Sequence, residues 1–323
     1  MCTRVFWNDS GKELIVGRTM DWPESTEPIW IVFPRGTKHD GGMLAGHSLG
    51  LANPLQWEAK YGSLGISVYG LGTVDGINEH GLTAHLLFLN EADFGQVDPA
   101  KPALHAGLWA QYLLDSAATV SDALSLLEGI QLVMVEARGH QSSVHLAIED
   151  ANGDSAIVEY IDGKQTIHHG AQYQVMTNSP TYDEQLALLA KQDFSHPSSE
   201  LPLPGNVNAI DRFQRATYYL AILPDPSDER EAVAGVLAIM RNASVPFGAP
   251  YKTMGVYNTE YRTVIDITNK RYFFEYSTLP NVVWTDLADL DFSAGSGVQL
   301  LNPIDMSLSG NVTERFAQAV APY

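Results

Sequence analysis

Cys2-Thr3-Arg4-Val5-Phe6-Trp7 and Glu13-Leu14-Ile15-Val16-Gly17-Arg18-Thr19 flank the run Asn8-Asp9-Ser10-Gly11-Lys12. The flanks carry β-branched and aromatic residues, and the run between them carries turn formers, so the segment reads as a β-hairpin. With its centre near Ser10, cross-strand partners sum to about 20, which sets Cys2 opposite Arg18 with Cβ atoms about 4.5–5.5 Å apart. A guanidinium there favours a thiolate and any anion formed on attack. Cys2 is the one cysteine in 323 residues and follows Met1 directly. Removal of Met1 gives a first residue that carries both a thiol and an α-amine. Such an amine, with an ordinary pKa of about 7.7–8.0, is partly neutral near pH 7 and can act as the base. The plainer reading, a small residue on a first strand, stays open at this point.

Composition narrows the class. A chain that is 45% hydrophobic and 18% charged buries a large core, and its length permits one layered α/β-type domain or two. It contains no apolar run of about 18 residues, which excludes a spanning helix. Nineteen basic against 38 acidic residues give a formal charge of −19, which opposes binding to nucleic acid or insertion at an anionic membrane. A single cysteine forbids an intramolecular disulfide. No basic and apolar leader precedes Cys2. That points to the cytoplasm if Met1 is the native start, and to the periplasm if Met1 stands in place of a signal peptide.

Further strands are expected at 28–34, 65–70, 81–89, 131–136, 143–149, 154–160, 262–267 and 271–276, and helices at 104–116, 120–128, 181–192, 208–222 and 229–241. Blocks of strands followed by blocks of helices argue for α+β layers rather than alternating βαβ units. The Pro-rich loop 195–206 links two helices.

Three constellations compete for the chemistry. Gly46-His47-Ser48-Leu49-Gly50 fits the pattern of a serine nucleophile elbow, which needs a buried strand before the serine and a helix after it. Gly41-Gly42 precede it and Asn53-Pro54 break the segment on its C-terminal side, so a glycine-rich loop is favoured and a serine hydrolase using Ser48 is kept as an alternative. His80, His85, His140 and His168-His169 form no H-E-x-x-H and no Cys/His zinc spacing, so no metal is assigned. The third is Arg18-Thr19-Met20-Asp21-Trp22 at the end of the hairpin, where Asp21 could accept from the new ammonium or the cysteine amide and orient it.

Met1-Cys2-Thr3, Gly17-Arg18-Thr19-Met20-Asp21-Trp22, Asn78-Glu79-His80-Gly81-Leu82, Met176-Thr177-Asn178-Ser179-Pro180 and Leu203-Pro204-Gly205 with Asp211-Arg212-Phe213 occur in this order. Together they resemble the choloylglycine hydrolase family, which contains penicillin V acylases, bile salt hydrolases and relatives that cleave N-acyl homoserine lactones. The resemblance spans about residues 2–276. It implies an α+β fold of N-terminal nucleophile hydrolase type, a four-layer αββα sandwich, with residues 1–323 as one hydrolase domain and 277–323 as its C-terminal extension.

Carried over by position, the resemblance implies Cys2 as nucleophile with its own amine as base, Arg18 and Asp21 as polar groups flanking it, Asn178 as donor to the oxyanion through Nδ2, and Arg212 as the last polar site residue. Read alone, Asn178 is ordinary turn chemistry and Arg212 an exposed helix residue. The family's second oxyanion position, Asn or Tyr elsewhere, falls on Phe88, so only a backbone N–H near residue 88 can serve. The reaction implied is amide hydrolysis through a thioester, with no metal or cofactor. Trp22, Tyr69, Leu87 and Phe88 are expected to form an aromatic and aliphatic pocket for a phenoxyacetyl or fatty acyl group. That ranks penicillin V and acyl homoserine lactone acylase activity above conjugated bile salt hydrolysis. A non-catalytic binding module of the same fold is the remaining alternative. The resemblance favours a homo-oligomer, a tetramer, although the segment between Asn178 and Arg212 lacks the inserted hairpin that helps assemble Gram-positive members and so looks like the Gram-negative branch.

Overall fold

In the computed structural model, which describes residues 1–250 and 255–323, the first hairpin forms as the sequence dictates but turns one residue later than expected. Strands Cys2–Trp7 and Ile15–Trp22 pair with Cys2 opposite Met20 and Arg4 opposite Arg18, so partners sum to 22. Ser10 sets the turn: its Oγ accepts from the Glu13 amide at 2.9 Å and the Lys12 amide at 3.2 Å, and the reversal falls on Gly11 at φ +73°. The register moves by two residues, an even step that leaves every side chain on its expected face. Arg18 is therefore a diagonal neighbour of Cys2 rather than its direct partner.

This hairpin lies inside a sheet ordered Val175–Met176, Cys2–Trp7, Ile15–Trp22, Val256–Asp266, Arg271–Tyr276, Val282–Asp286 and Gly310–Asn311. A second sheet is ordered Lys164–His169, Ser155–Ile161, Val144–Glu149, Thr83–Phe88, Thr73–Asn78, Ser63–Ser67, Ile29–Phe33, Gln299–Leu301 and Ala317–Gln318. The two pack face to face. Between them Trp30 sits edge-on to Tyr272 at 5.5 Å and tilted against Phe274 at 5.6 Å, and all three are essentially inaccessible to water. Burying each such side chain contributes about 2–3 kcal/mol.

Helices close both outer faces, which completes the four layers αββα. Ala209–Ala221 and Glu229–Ala243 cover the first sheet, and Trp109–Ser116 covers the second. Their starts are written in the sequence: the side chains of Asn208 and Asp228 accept from the amides of Asp211 and Glu231, each cap being worth about 1 kcal/mol. Two glycines let the helices approach. A Cβ on Gly17 would lie 2.7 Å from Val236 Cγ1, and one on Gly76 would lie 2.9 Å from Leu114 Cδ1.

Several expectations are corrected. The strand foreseen at 65–70 spans Ser63–Ser67, because Tyr69 and Gly70 take positive φ and turn the chain. The first residues of the helix foreseen at 104–116 pair instead with Gln131–Val133, and the helix begins at Trp109. The strand foreseen at 131–136 is broken into Gln131–Val133 and Glu136–Ala137. Thr73–Asn78, Lys164–His169 and Val282–Asp286 are strands that were not foreseen. Residues beyond 277 thread both sheets: Val282–Asp286 and Gly310–Asn311 join the first, Gln299–Leu301 and Ala317–Gln318 the second. Among the described residues no helix is long and apolar enough to cross a membrane.

Candidate active site

Both faces of the first strand are buried, and Cys2 at its start is 3% exposed. The strand's alternation sends the Cys2 side chain between the sheets, while its N–H and C=O meet Asn178 and Arg212. On the thiol side, Arg18 Nη2 stands 3.1 Å from Cys2 Sγ, and Met20 Sδ lies 3.9 Å from it. Arg18 Nη1 donates to the Val74 carbonyl at 2.8 Å, which aims the guanidinium. Burial alone would lower the Arg18 pKa, but the neighbouring acidic groups Cys2, Tyr261 and Asp75 raise it above its ordinary value.

On the amide side, Cys2 N donates to Asn178 Oδ1 at 2.7 Å. Arg212, in the first turn of Ala209–Ala221, donates through Nη1 to the Cys2 carbonyl at 2.6 Å and through Nη2 to Asn178 Oδ1 at 2.9 Å. Its Nε is anchored on the Val207 carbonyl at 2.9 Å. Arg212 is fully buried, which overturns the reading of it as an exposed helix residue. Asp21 is reached differently from what the sequence led us to expect. Its carboxylate accepts from Thr259 Oγ1 at 2.6 Å and Thr19 Oγ1 at 3.1 Å and lies 3.5 Å from Arg212 Nη1, while Asn178 takes the Cys2 amide. Asp21 thus holds Arg212 rather than the amide itself.

Asn178 follows the short strand Val175–Met176, which pairs with the first strand at Arg4 and Val5. Two donors converge on its Oδ1, so its amide nitrogen faces the other way and donates to the Phe88 carbonyl at 2.6 Å. One of its two N–H hydrogens is therefore engaged and one is free for a ligand. Leu89 N bonds the carbonyl of Ser143, just before the neighbouring strand Val144–Glu149, so alternation turns the N–H and C=O of Phe88 to the opposite edge, where Asn178 meets the carbonyl.

Cys2 opens on a cavity of about 850 Å³ including its mouth, walled chiefly by Met20, Trp22, Val68, Tyr69, Leu86 and Phe88. Trp22 and Phe88 lie 6.0 Å apart, and Trp22 Nε1 donates to Tyr69 OH at 2.9 Å. Leu87, expected on this wall, is not there. It faces the core between the sheets and is fully buried. Alternation puts Leu86 with Phe88 on one face and Leu87 on the other. The mouth carries the hairpin Glu136–Ala137 and His140–Gln141, whose Arg138 forks onto Glu27 at 2.8 and 3.0 Å and covers the Tyr69 ring at 4.3 Å.

Sequence reasoning missed the charged cluster behind the thiol. His85 Nδ1 pairs with Asp75 and its Nε2 lies 3.0 Å from Glu149, which pairs in turn with Arg4. Tyr272 and Thr263 donate to Asp75. Burial would raise Asp75, but His85 and Arg18 hold it below the carboxylate range. Burial would lower His85, but Glu149 and Asp75 raise it. The charged members alone, Arg4, Arg18, Asp75, His85 and Glu149, lie on five strands, so no local pattern could reveal them. Met20 was recoverable, because it shares the face of Arg18 two residues on.

The decoys fall apart. Ser48 is exposed in a two-residue strand paired with Met43–Leu44, its Oγ accepts from the Gly50 amide, and no helix follows. His168 and His169 turn to Asp183 and Asp154 separately. Among the described residues no group of His, Cys, Asp and Glu is arranged to hold a metal ion.

Comparison with known proteins finds relatives along nearly the whole chain. Residues 2–304 match the model of the linear amide C–N hydrolases, choloylglycine hydrolase family. Penicillin V acylase of Pectobacterium atrosepticum is 38% identical, with 98% of this chain and 90% of that protein covered. The structure of penicillin V acylase from Agrobacterium tumefaciens superposes with a TM-score of 0.87 at 41% identity, covering 98% of each chain. A conjugated bile acid hydrolase from Clostridium perfringens shares the fold, with a TM-score of 0.80 at 20% identity over 96% of this chain and 98% of that one. The chain belongs to the choloylglycine hydrolase family and is a hydrolase of linear amides.

Proposed function

We propose that the protein is a penicillin V acylase that also cleaves N-acyl homoserine lactones, working through Cys2 once Met1 is removed. The observation that carries this reading is a thiol held 3.1 Å from a buried guanidinium at the floor of an apolar cavity walled by Trp22 and Phe88. A flat phenoxyacetyl group or an alkyl chain suits that wall. A steroid with several hydroxyls would lose hydrogen bonds to water there, at about 1–3 kcal/mol for each group left unpaired. The likeness to two penicillin V acylases at 38% and 41% identity supports penicillin V as a substrate.

In this reading the α-amine takes the thiol proton and Sγ bonds to the amide carbonyl carbon. The negative charge on oxygen is met by the free N–H of Asn178 Nδ2 and the N–H of Phe88, each such donor being worth about 3 kcal/mol in the barrier. Arg18 favours the thiolate from the other side. The C–N bond then breaks as the ammonium returns its proton to the leaving amine. Water, deprotonated by the same amine, attacks the thioester, and the C–S bond breaks to release the acid. Arg212 and Asp21 act on the amine end, fixing Asn178 and the Cys2 carbonyl. One domain over 1–323 and a homotetramer belong to the same reading, the first supported by the C-terminal strands in both sheets and the second open to light scattering.

The test is an acid-release assay on penicillin V, a long-chain acyl homoserine lactone and glycocholate, with intact mass establishing that Cys2 is the first residue. The first two are expected to turn over and glycocholate to lag by at least tenfold. Cys2→Ala is expected to abolish turnover of all three and Ser48→Ala to leave it intact. Activity persisting in Cys2→Ala, or lost in Ser48→Ala, would overturn the reading.

A further inference from the structure

Three non-glycine residues with left-handed backbone meet at the mouth of the cavity. Glu27, Tyr69 and Arg138 have φ of +51°, +56° and +52°. Tyr69-Gly70 and Arg138-Gly139 are the central pairs of two-residue turns. The Leu71 amide closes the first on the Val68 carbonyl at 3.0 Å, and the second joins Glu136–Ala137 to His140–Gln141. Turns with positive φ at both central residues favour Asn or Asp before the glycine, as in Asp162-Gly163 between Ser155–Ile161 and Lys164–His169. A bulky side chain in that conformation is strained, and such strain persists where surrounding contacts enforce it. Tyr69 and Arg138 are therefore placed for what they touch rather than for the turns they make.

What they touch is each other. Arg138 covers the Tyr69 ring and forks onto Glu27. The Tyr69 hydroxyl donates to Glu24 Oε1 at 2.7 Å and accepts from Trp22 Nε1 at 2.9 Å. Trp22 in turn faces Phe88 and stands edge-on, at 4.9 Å, to His140 of the same hairpin. The segment carrying Glu24 and Glu27 is pinned from behind, where Glu260 accepts from the Thr26 amide and hydroxyl and from Ser25 Oγ. All three segments line the cavity, through Thr26, Tyr69 and His140. Arg138 and Glu27 do not line it, and their side chains are 45% and 56% exposed.

We infer that Arg138 and Glu27 form a clasp that sets the acyl preference from outside the cavity: they hold Tyr69, Tyr69 holds Trp22, and the wall so fixed favours a flat aromatic acyl group over an alkyl chain. The inference rests on the reading of Cys2 as the nucleophile that takes the acyl group. Aromatic contacts gain from offset or edge-on geometry at a defined spacing, so a rigid ring binds well only to a wall already in place. An alkyl chain turns about its own bonds and fits a displaced wall nearly as well. The clasp contains an exposed ion pair, which salt screens as the Debye length falls from about 30 Å at 0.01 M to about 3 Å at 1 M. Acyl preference is thereby tied to ionic strength, although neither charge of the clasp reaches into the cavity.

Penicillin V and the penicillin whose side chain is an octanoyl group test this. They share the leaving amine and its charge, so both cancel in the ratio of their kcat/KM values, aromatic over alkyl. Arg138→Asn is the sharpest variant, because Asn-Gly suits the turn better than Arg-Gly: the thermal midpoint is expected to hold or rise while the ratio falls at least fivefold. Glu27→Gln is expected to lower the ratio too, and the double variant to do no more than Arg138→Asn alone. Arg138→Lys, which keeps the charge but loses the planar fork, is expected to fall between. In wild type the ratio is expected to drop at least threefold between about 0.01 M and 1 M salt, and in Arg138→Asn to stay nearly constant. A ratio in Arg138→Asn within twofold of wild type, or one equally salt-dependent in both proteins, overturns the clasp while leaving the nucleophile in place. Inertness of wild type with Cys2 at its terminus toward both penicillins overturns the functional reading, and the clasp with it.

Discussion

Two buried polar clusters lie on opposite faces of the second sheet, and they solve the problem of burial in opposite ways. Behind Cys2, the groups Arg4, Arg18, Asp75, His85 and Glu149 are at most 1% exposed, and opposite charges and hydrogen bonds hold Asp75 and Glu149 below, and His85 above, their ordinary pKa values. Under the helix Trp109–Ser116, Asp115 accepts from Trp57 Nε1 at 2.8 Å and Gln111 Nε2 at 2.7 Å, with His39 Nε2 3.4 Å away. Here burial wins: Asp115 is pushed up to about 8 and His39 down to about 4. Neutral donors are not enough to keep a carboxylate charged, whereas alternating charges are. If Cys2 is the nucleophile proposed above, the ionised cluster lies on the side of the sheet where its reaction would build negative charge.

The sharpest way to break the ionised side is to remove its member nearest the thiol. Arg18→Leu is expected to lower kcat/KM by about 100-fold or more, and to destabilise the fold by about 3–5 kcal/mol because Asp75 loses a compensating charge. Penicillin V hydrolysis and the urea midpoint report the two separately. Retained activity would detach the cluster from the chemistry. Asn178→Ala comes next: the loss of one oxyanion donor predicts a fall in kcat of about 100-fold, with KM less affected because the donor acts in the transition state. His85→Gln, which leaves Cys2 and its direct contacts in place, is expected to cost about 3 kcal/mol of stability and less activity than either. A loss of activity equal to that of Arg18→Leu would show that the whole cluster acts through Arg18.

Legibility followed the same division. The α+β layering and the hairpin were readable from the residues, because hydrophobic period, turn chemistry and helix caps are local, and Cys2 and Arg18 share a face in any even register; Asn178 and Arg212 were reached only through the family resemblance. Arg212 shows the limit. A cation in the first turn of a helix reads as solvated, and only the approach of the first strand makes it a buried clamp on Cys2 and Asn178. The strand Thr73–Asn78 was hidden because Asp75 and Gly76 are turn residues by propensity. Here they serve a nonlocal ion cluster and a close helix contact, and tertiary packing overrode propensity. Leu87 was misplaced by a single step of the two-residue alternation.

The smallest effect tests the neutral side by its pH dependence. Asp115 has a folded pKa of about 8 against an ordinary value of 3.8. A raised carboxyl favours the protonated folded state, so its stability is present below about 4, declines as pH rises toward 8, and is flat above. Asp115→Asn cannot titrate. Its amide presents one acceptor to Trp57 and meets the Gln111 donor with another donor, a mismatch that adds a pH-independent cost. The slope rather than the absolute value is therefore diagnostic: stability of the variant relative to wild type should rise between pH 5 and 8, by an amount on the order of a few kcal/mol, and level off beyond. His39 titrates with the opposite sign below about 6.5 in both proteins, so it largely cancels in the difference. Urea unfolding of the pair at pH 5, 6.5, 8 and 9 reads the slope. A flat difference would mean that His39 and Asp115 form an ion pair after all, and that both faces of the sheet obey the rule seen behind Cys2.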